Sequence, residues 1–444
     1  MKKYLLIIIL IWTHYSNGQV CFNPIINYNP CNLPGFINTS DINKDGFKDI
    51  TFTSAYYRGI TMLGNGAGLF GSCNTFTPFG MFSSGVTVGD FNNDTNPDLA
   101  VSSNTLIEIF LGNGSGIFTA PTSTISFPSY KIQSKDLNSD SKIDLIVGNS
   151  GANSVSVFLG NGSGTFSAFS TFSLTSLPND LEISDFNNDG ISDIATCNFN
   201  NNEVSVLLGT GSGNFGACNS FSTTTGISYI TINDFNNDGK KDIAGVGNGN
   251  FYLLLGSGTG NLSQSLTFTC SGYPEDISSA DFNSDGNIDL ALPSYYSAIN
   301  IYLGSGIGSF SIGYPFGYLA GNPWTIASAD FNGDSKIDLA VGCDNTFQSL
   351  DVLLNCTAIN VNELFNENSI SIFPNPASTS ISISTAQNEF KNSEIELINT
   401  LGQTILKTKF TEVIDVSEIP NGIYILQLKN SQGQVAVKRL VVSK

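Results

Sequence analysis

From Asp41 to Cys356 the chain alternates short apolar runs with clusters of Gly, Asn, Asp and Ser. Runs such as "DLAV" and "VSVFLG" have the length of strands, and their alternation of apolar and polar positions predicts β-structure. Long stretches of Leu, Ala, Glu and Lys at helical spacing are missing, so almost no helix is expected. The runs also keep a fixed order. Each unit reads strand, acidic turn, strand, strand, glycine turn, and a last strand opening at a Phe.

The acidic turn occurs seven times, as DINKDGFKD at Asp41, DFNNDTNPD at Asp90, DLNSDSKID at Asp136, DFNNDGISD at Asp185, DFNNDGKKD at Asp234, DFNSDGNID at Asp281 and DFNGDSKID at Asp330. Successive starts lie 46 to 49 residues apart. The glycine turn keeps phase with it, as in LGNGSGTF at Leu159 and LGTGSGNF at Leu208. A constant period of this size marks a stacked or circular repeat, and four short antiparallel strands per unit predict an all-β, seven-bladed β-propeller over residues 19–357.

The ends of the array predict closure of the ring. The seventh unit stops at "DVLLNC" without a fourth strand, and "CFNPIINYN" precedes the first acidic turn without a unit of its own. Residues 21–28 are therefore expected to complete the seventh blade. In the glycine-turn frame Cys356 falls on the fourth position and Cys21 on the seventh, facing each other across the turn. Two readings of this pair stand, a bond that locks the ring or two buried thiols. Cys31, Cys73, Cys197, Cys218, Cys270 and Cys343 are left unpaired by the sequence.

The chain opens with Lys2 and Lys3, an apolar run from Leu5 to Trp12, and small residues at Ser16 and Gly18. This predicts a signal peptide over residues 1–18, cleaved after Gly18, and the run is too short for a membrane span. His14 is the single histidine and leaves with that segment. A Ser/His/Asp or Cys/His nucleophilic site and a histidine-ligated zinc are thereby excluded from the mature chain. The formal charge of -19 argues against nucleic acid as a partner.

Three carboxylates crowded into nine residues repel one another, so a cation is the missing partner. Side-chain oxygens at positions 1, 3, 5 and 9 converge, and glycine at position 6 permits the bend. Hard oxygen donors in this number suit calcium, bound in hairpin turns rather than between helices. The candidate ligands are Asp41, Asn43, Asp45 and Asp49; Asp90, Asn92, Asp94 and Asp98; Asp136, Asn138, Asp140 and Asp144; Asp185, Asn187, Asp189 and Asp193; Asp234, Asn236, Asp238 and Asp242; Asp281, Asn283, Asp285 and Asp289; and Asp330, Asn332, Asp334 and Asp338. Up to seven ions are expected, held most strongly where Gly46, Gly190, Gly239 and Gly286 fill position 6. Thr95, Ser141 and Ser335 stand there in the other turns and are expected to resist a left-handed backbone.

The acidic turns with their LGNGSGxF partners resemble the FG-GAP/VCBS repeats of seven-bladed propellers such as the integrin alpha-subunit head. That resemblance implies calcium in hairpins on one face and ligands on the opposite face. After a linker at 358–367, residues 368–444 carry "FPNPAS", "TLGQ", "IDVSEIPNGIYIL" and "KRLVVSK". Alternating strands predict a small immunoglobulin-like β-sandwich. The segment resembles the type A sorting domain of the type IX secretion system of Bacteroidetes. The resemblance implies contact with that secretion machinery, export across the outer membrane, and release or attachment at the cell surface.

The ligand-face candidates are Tyr56, Tyr57, Arg58, Tyr273, Tyr295, Tyr296 and Trp324, since exposed aromatics beside Asn and Arg are platforms for sugars and protein partners. Two classes of function fit. One is a non-enzymatic binding or adhesion module for a protein or glycan, held rigid by calcium. The other is an extracellular polysaccharide lyase or hydrolase, although no paired acids or basic cluster stand out beyond the turns.

Overall fold

The computed structural model describes residues 20–29, 33–54, 58–78, 83–118, 120–149, 151–270, 272–294, 298–311, 314–316, 319, 321–344, 349–357, 370–385, 393–399, 404–429 and 435–444. Two compact units divide at residue 359. The leader, the linker and Cys31 lie outside the described residues.

Among the described residues the larger unit holds seven four-stranded antiparallel sheets. The first runs Pro34–Ser40, Asp49–Ser54, Arg58–Met62 and Asn74–Phe76 in spatial as in sequence order, and the next five repeat that pattern. Second strands such as Asp193–Asn198 and Asp289–Ser294 are buried at every position, because neighbouring sheets cover both of their faces. Innermost strands of successive sheets touch in order, and Pro34–Ser40 touches Asn322–Ala329 of the last sheet, which closes the circle. A separate apolar cluster fills each seam between sheets. Phe91, Ile109, Ile132 and Phe158 fill one, and Phe186, Val206, Ile243 and Tyr252 fill another.

The last sheet takes its fourth strand from the other end of the chain. Ile26–Tyr28 pairs antiparallel with Ser349–Leu353 beside Asp338–Asp344 and Asn322–Ala329, as the unit count predicts. Cys21 and Cys356 are disulfide-bonded across a sequence separation of 335, with Cα atoms 5.0 Å apart. The register differs by one from expectation. Cys356 N–H donates to the Cys21 carbonyl at 2.8 Å, the bond Asn65 makes to Leu69 in the first sheet, so Cys356 holds the third position of the glycine turn and Asn355 the second. Asn355 adopts glycine's place because its amide N–H can make the same bond to Asp338 that Gly64 makes to Asp49.

Among the described residues the smaller unit has seven strands in two sheets. Ile370–Phe373, Ser380–Thr385 and Val413–Asp415 form one, while Thr404–Lys409, Glu394–Asn399, Gly422–Lys429 and Val435–Val442 form the other. Ile381, Ile414, Leu397, Leu426 and Leu440 from both sheets share one core.

Candidate functional site

Each acidic turn joins an innermost strand to the second strand of its sheet, and its bonds repeat around the ring. In the fourth turn Asp185 Oδ1 accepts the N–H of Asp189 at 3.2 Å, and Oδ2 accepts that of Gly190 at 2.8 Å. Asn187 Oδ1 accepts the Asp189 N–H at 3.1 Å, and Asp189 Oδ1 accepts the Ile191 N–H at 2.8 Å. Oxygens at positions 1, 3 and 5 thus turn inward, where they accept main-chain N–H groups.

Position 9 has a second task. Asp193 is buried at the start of its strand, where Oδ2 accepts the N–H of Phe186 at 2.8 Å and Oδ1 that of Gly209, in the glycine turn, at 2.7 Å. Asp49, Asp98, Asp144, Asp242, Asp289 and Asp338 make the same pair of bonds. These carboxylates clip the acidic turn to the glycine turn of their own sheet. Burial, assisted by the charges at positions 5 and 1, pushes Asp98, Asp242 and Asp338 up to about 6 and Asp289 up to about 7, against the pull of the two N–H bonds.

A further bond crosses six of the seven seams among the described residues. The third glycine of a glycine turn donates its N–H to the position-2 carbonyl of the preceding sheet: Gly68 to Phe331, Gly164 to Phe91, Gly213 to Leu137, Gly260 to Phe186 and Gly308 to Phe235, at 2.8 to 3.3 Å. At the last seam the Asn355 side chain replaces that glycine, with Nδ2 donating to the Phe282 carbonyl at 2.8 Å. Glycine is required here on two counts. Gly260 has φ +77, and a Cβ there would lie 2.6 Å from the Leu208 side chain of the sheet before it.

The expectation that Thr95, Ser141 and Ser335 resist the left-handed region is corrected by the structure. Their φ values are 71, 64 and 67, and each N–H bonds the position-1 aspartate at 2.8 Å, as glycine does elsewhere. Those bonds hold the conformation against a strain of roughly 1–2 kcal/mol. Position 4 is left-handed as well, at Lys44, Asn93, Ser139, Asn188, Asn237, Ser284 and Gly333.

Among the described residues no group of three or more His, Cys, Asp and Glu side chains is gathered as a metal cluster. The chemistry of the donor set nevertheless fits a hard divalent cation. Each turn offers oxygen donors alone, beside a buried carboxylate with no cationic partner among the described residues.

The innermost strands bring together a second group of charges. Near their starts, at the end of the channel away from the acidic turns, a cavity of about 150 Å³ is lined by Phe36, Lys131, Gln133, Asp180, Glu182, Asp276 and Thr325 among others. Lys131 Nζ lies 2.8 Å from Asp180 Oδ1 and 5.1 Å from the centre of the Phe36 ring. Asp180 also accepts the N–H groups of Leu181 and Ile230, and Asp276 those of Ile277 and Ile326 and the hydroxyl of Thr325. Among the described residues Glu182 receives only the Gln133 amide, at 3.3 Å.

The expected ligand-face residues are dispersed in their exposure. Tyr273 is exposed and Arg58 opens its strand exposed. Trp324 is half-buried and spends its indole N–H on the Pro34 carbonyl, at 2.6 Å, across the seam that closes the ring. Tyr56, Tyr57, Tyr295 and Tyr296 lie outside the described residues.

The FG-GAP-like repeat family matches residues 41–101, 185–245, 234–292 and 281–341. The chain carries FG-GAP-like repeats. Residues 371–443 match the secretion system C-terminal sorting domain, which directs this FG-GAP-like protein through the type IX secretion system to the cell surface or the extracellular space. Among the described residues no helix is long and apolar enough to cross a membrane.

Solved structures share the β-propeller fold. BBS1N in complex with ARL6DN matches with a TM-score of 0.56 at 9% identity, covering 78% of this chain and 100% of that one. A lectin of Agrocybe aegerita, solved for its recognition of non-reducing terminal N-acetylglucosamine, matches with a TM-score of 0.51 at 17% identity, covering 70% and 86%. Phosphatidylinositol-glycan-specific phospholipase D of Bos taurus is 26% identical over 174 residues, 31% of this chain and 20% of its own length. The FG-GAP-like chain thus spans about a fifth of that curated relative.

The cavity charges of the FG-GAP-like repeats were missed in the sequence, yet a signal was present. Counting back from each acidic turn, the fourth residue is Ile37, Val86, Ile132, Leu181, Ile230, Ile277 or Ile326, apolar in every unit. The fifth is Phe36, Gly85, Lys131, Asp180, Tyr229, Asp276 or Thr325, which differs in every unit but for the repeated Asp and carries charge in three. A position freed from the repeat while its neighbour stays fixed is the trace such a site leaves.

Proposed function

We propose that this exported FG-GAP-like propeller is a calcium-binding, non-enzymatic binding or adhesion module for a protein or glycan. The ions are assigned to positions 1, 3, 5 and 9 of the seven acidic turns. The supporting observation is the bond shared by turn and seam. The position-2 carbonyl of an acidic turn accepts the N–H of the next sheet's glycine turn, so a cation that fixes one turn also fixes the contact between two sheets. Calcium would supply charge neutralisation for the buried position-9 carboxylates and stiffen the ring. The opposite face, where Arg58 and Tyr273 are exposed, is then free to meet a ligand.

An enzymatic reading is less well supported. Asp180 and Asp276 are committed to main-chain N–H groups, and about 150 Å³ is small beside the roughly 300–1,000 Å³ of ordinary ligand pockets. Neither matched family describes a catalytic domain. The test is retention of the mature chain on arrayed glycans and surface proteins in calcium and in chelator, with polysaccharide substrates assayed in parallel. Calcium-dependent retention without new chain ends supports the binding module, and release of new reducing or unsaturated ends contradicts it.

A further inference from the structure

The cavity at the channel mouth holds three carboxylates and one ammonium. Lys131 is committed to Asp180, and its charge also faces Glu182 and Asp276. Burial would lower the lysine's pKa, but the three acids together outweigh that and raise it, so Lys131 stays charged at all physiological pH. Two further acids remain without a cation of their own. Asp276 is compensated in part by two N–H groups and a hydroxyl. Glu182 is not, since one oxygen takes an amide at 3.3 Å and the other has no donor among the described residues.

We propose that the cavity binds a second primary ammonium group, received by Glu182 and Asp276 beside the Lys131–Asp180 pair. Several observations bear on the choice of ligand. An anion would meet an excess of negative charge, and a neutral molecule would leave the Glu182 carboxylate without a partner. A divalent metal ion fits poorly, because no three acids are gathered as a metal cluster among the described residues. The cavity already seats one ammonium, Lys131, between a carboxylate and the Phe36 ring. Its volume of about 150 Å³ accommodates a group of benzene size, which corresponds to the end of an alkylamine.

Burial first, and then the charges of Asp180 and Asp276, push Glu182 up to about 8 against the pull of Lys131, and Asp276 is pushed up to about 6. The cavity lies about five residues, roughly 17 Å along each strand, from the acidic turns, so this site is separate from the calcium sites. The same chemistry could arrive as a free amine or as the lysine side chain of a partner protein.

The experiment is calorimetric titration of the mature chain with n-butylammonium and with Nα-acetyl-lysine amide, at saturating calcium and again in chelator. n-Butanol and acetyl-norleucine amide serve as neutral counterparts. Saturable one-to-one binding of the ammonium probes is expected, with the neutral ones at least tenfold weaker. Glu182→Gln, which keeps an acceptor for Gln133, is expected to weaken binding at least tenfold while the melting temperature stays within a few degrees. Tighter binding of the lysine amide supports a partner's lysine as the source, and tighter binding of butylammonium supports a free amine. Absence of saturable ammonium binding, or binding unchanged in Glu182→Gln, overturns the proposal. Because the probes are titrated with and without calcium, a failure here is distinguishable from a failure of the calcium reading.

Discussion

The N–H of Gly164 donates to the carbonyl of Phe91 at 2.8 Å, tying the glycine turn of one sheet to the acidic turn of the sheet before it. The same acidic turn is clipped to its own glycine turn by Asp98, which accepts the N–H groups of Phe91 and Gly112. Turns of both kinds are therefore bonded to one another at six of the seven seams, and disturbance of a single carboxylate there reaches two sheets.

Asp242→Ala tests the clip. It removes the shared acceptor of Phe235 and Gly256 and leaves two buried N–H groups unpaired, which costs about 2–5 kcal/mol. Denaturant unfolding in chelator isolates this loss from any metal effect, and an unchanged midpoint would remove the clip from the account.

The position-9 acids set a pH dependence. Asp98, Asp242 and Asp338 at about 6 and Asp289 at about 7 stand above their ordinary value of 3.8, so between roughly pH 4 and 7 the folded chain holds more protons than the unfolded one. Stability in chelator is therefore expected to fall as the pH rises through this window. In calcium the order reverses, because protons then compete with the ion. Melting temperatures from pH 5 to 8 in both buffers check the two slopes.

In the last sheet, Asn355→Ala removes the side-chain bonds to the Phe282 and Ile337 carbonyls, at a cost of about 1–3 kcal/mol. Opening the Cys21–Cys356 bond by the double serine variant costs about 2–5 kcal/mol. Asn355 and Cys356 are neighbours in the chain of the last sheet, so the combined variant should depart from additivity, which a double-mutant cycle measures.

Phe186, at position 2 of its turn, is 2% exposed and plugs a seam core with Ala195, Val206 and Tyr252. Phe186→Ala should cost about 3–5 kcal/mol in chemical unfolding. A cost under about 1 kcal/mol would mean the seams are loosely packed.

The repeat was legible in the sequence because each unit must make the same turn and fill the same seam. Closure was legible too, since the missing strand after Leu353 and the surplus one at Ile26 are complementary. The glycine-turn register of Cys356 was misjudged by one residue because Asn355 mimics glycine through its main-chain N–H, which side-chain identity does not reveal. The tolerance of Thr95, Ser141 and Ser335 was hidden for a related reason, as the aspartate at position 1 holds the backbone that glycine would otherwise permit. The charged cavity escaped notice because Lys131, Asp180 and Asp276 lie far apart in sequence and meet only when the ring closes.

The central claim is that cations in the acidic turns brace the ring. Its most direct test is calorimetric titration of the mature chain with calcium, with the melting temperature recorded at each step and an Asp185→Asn, Asp189→Asn variant run alongside. Several ions bound and a large rise in melting temperature are expected, with one site fewer and a smaller rise in the variant. No binding, or binding that leaves the melting temperature unmoved, would contradict the account.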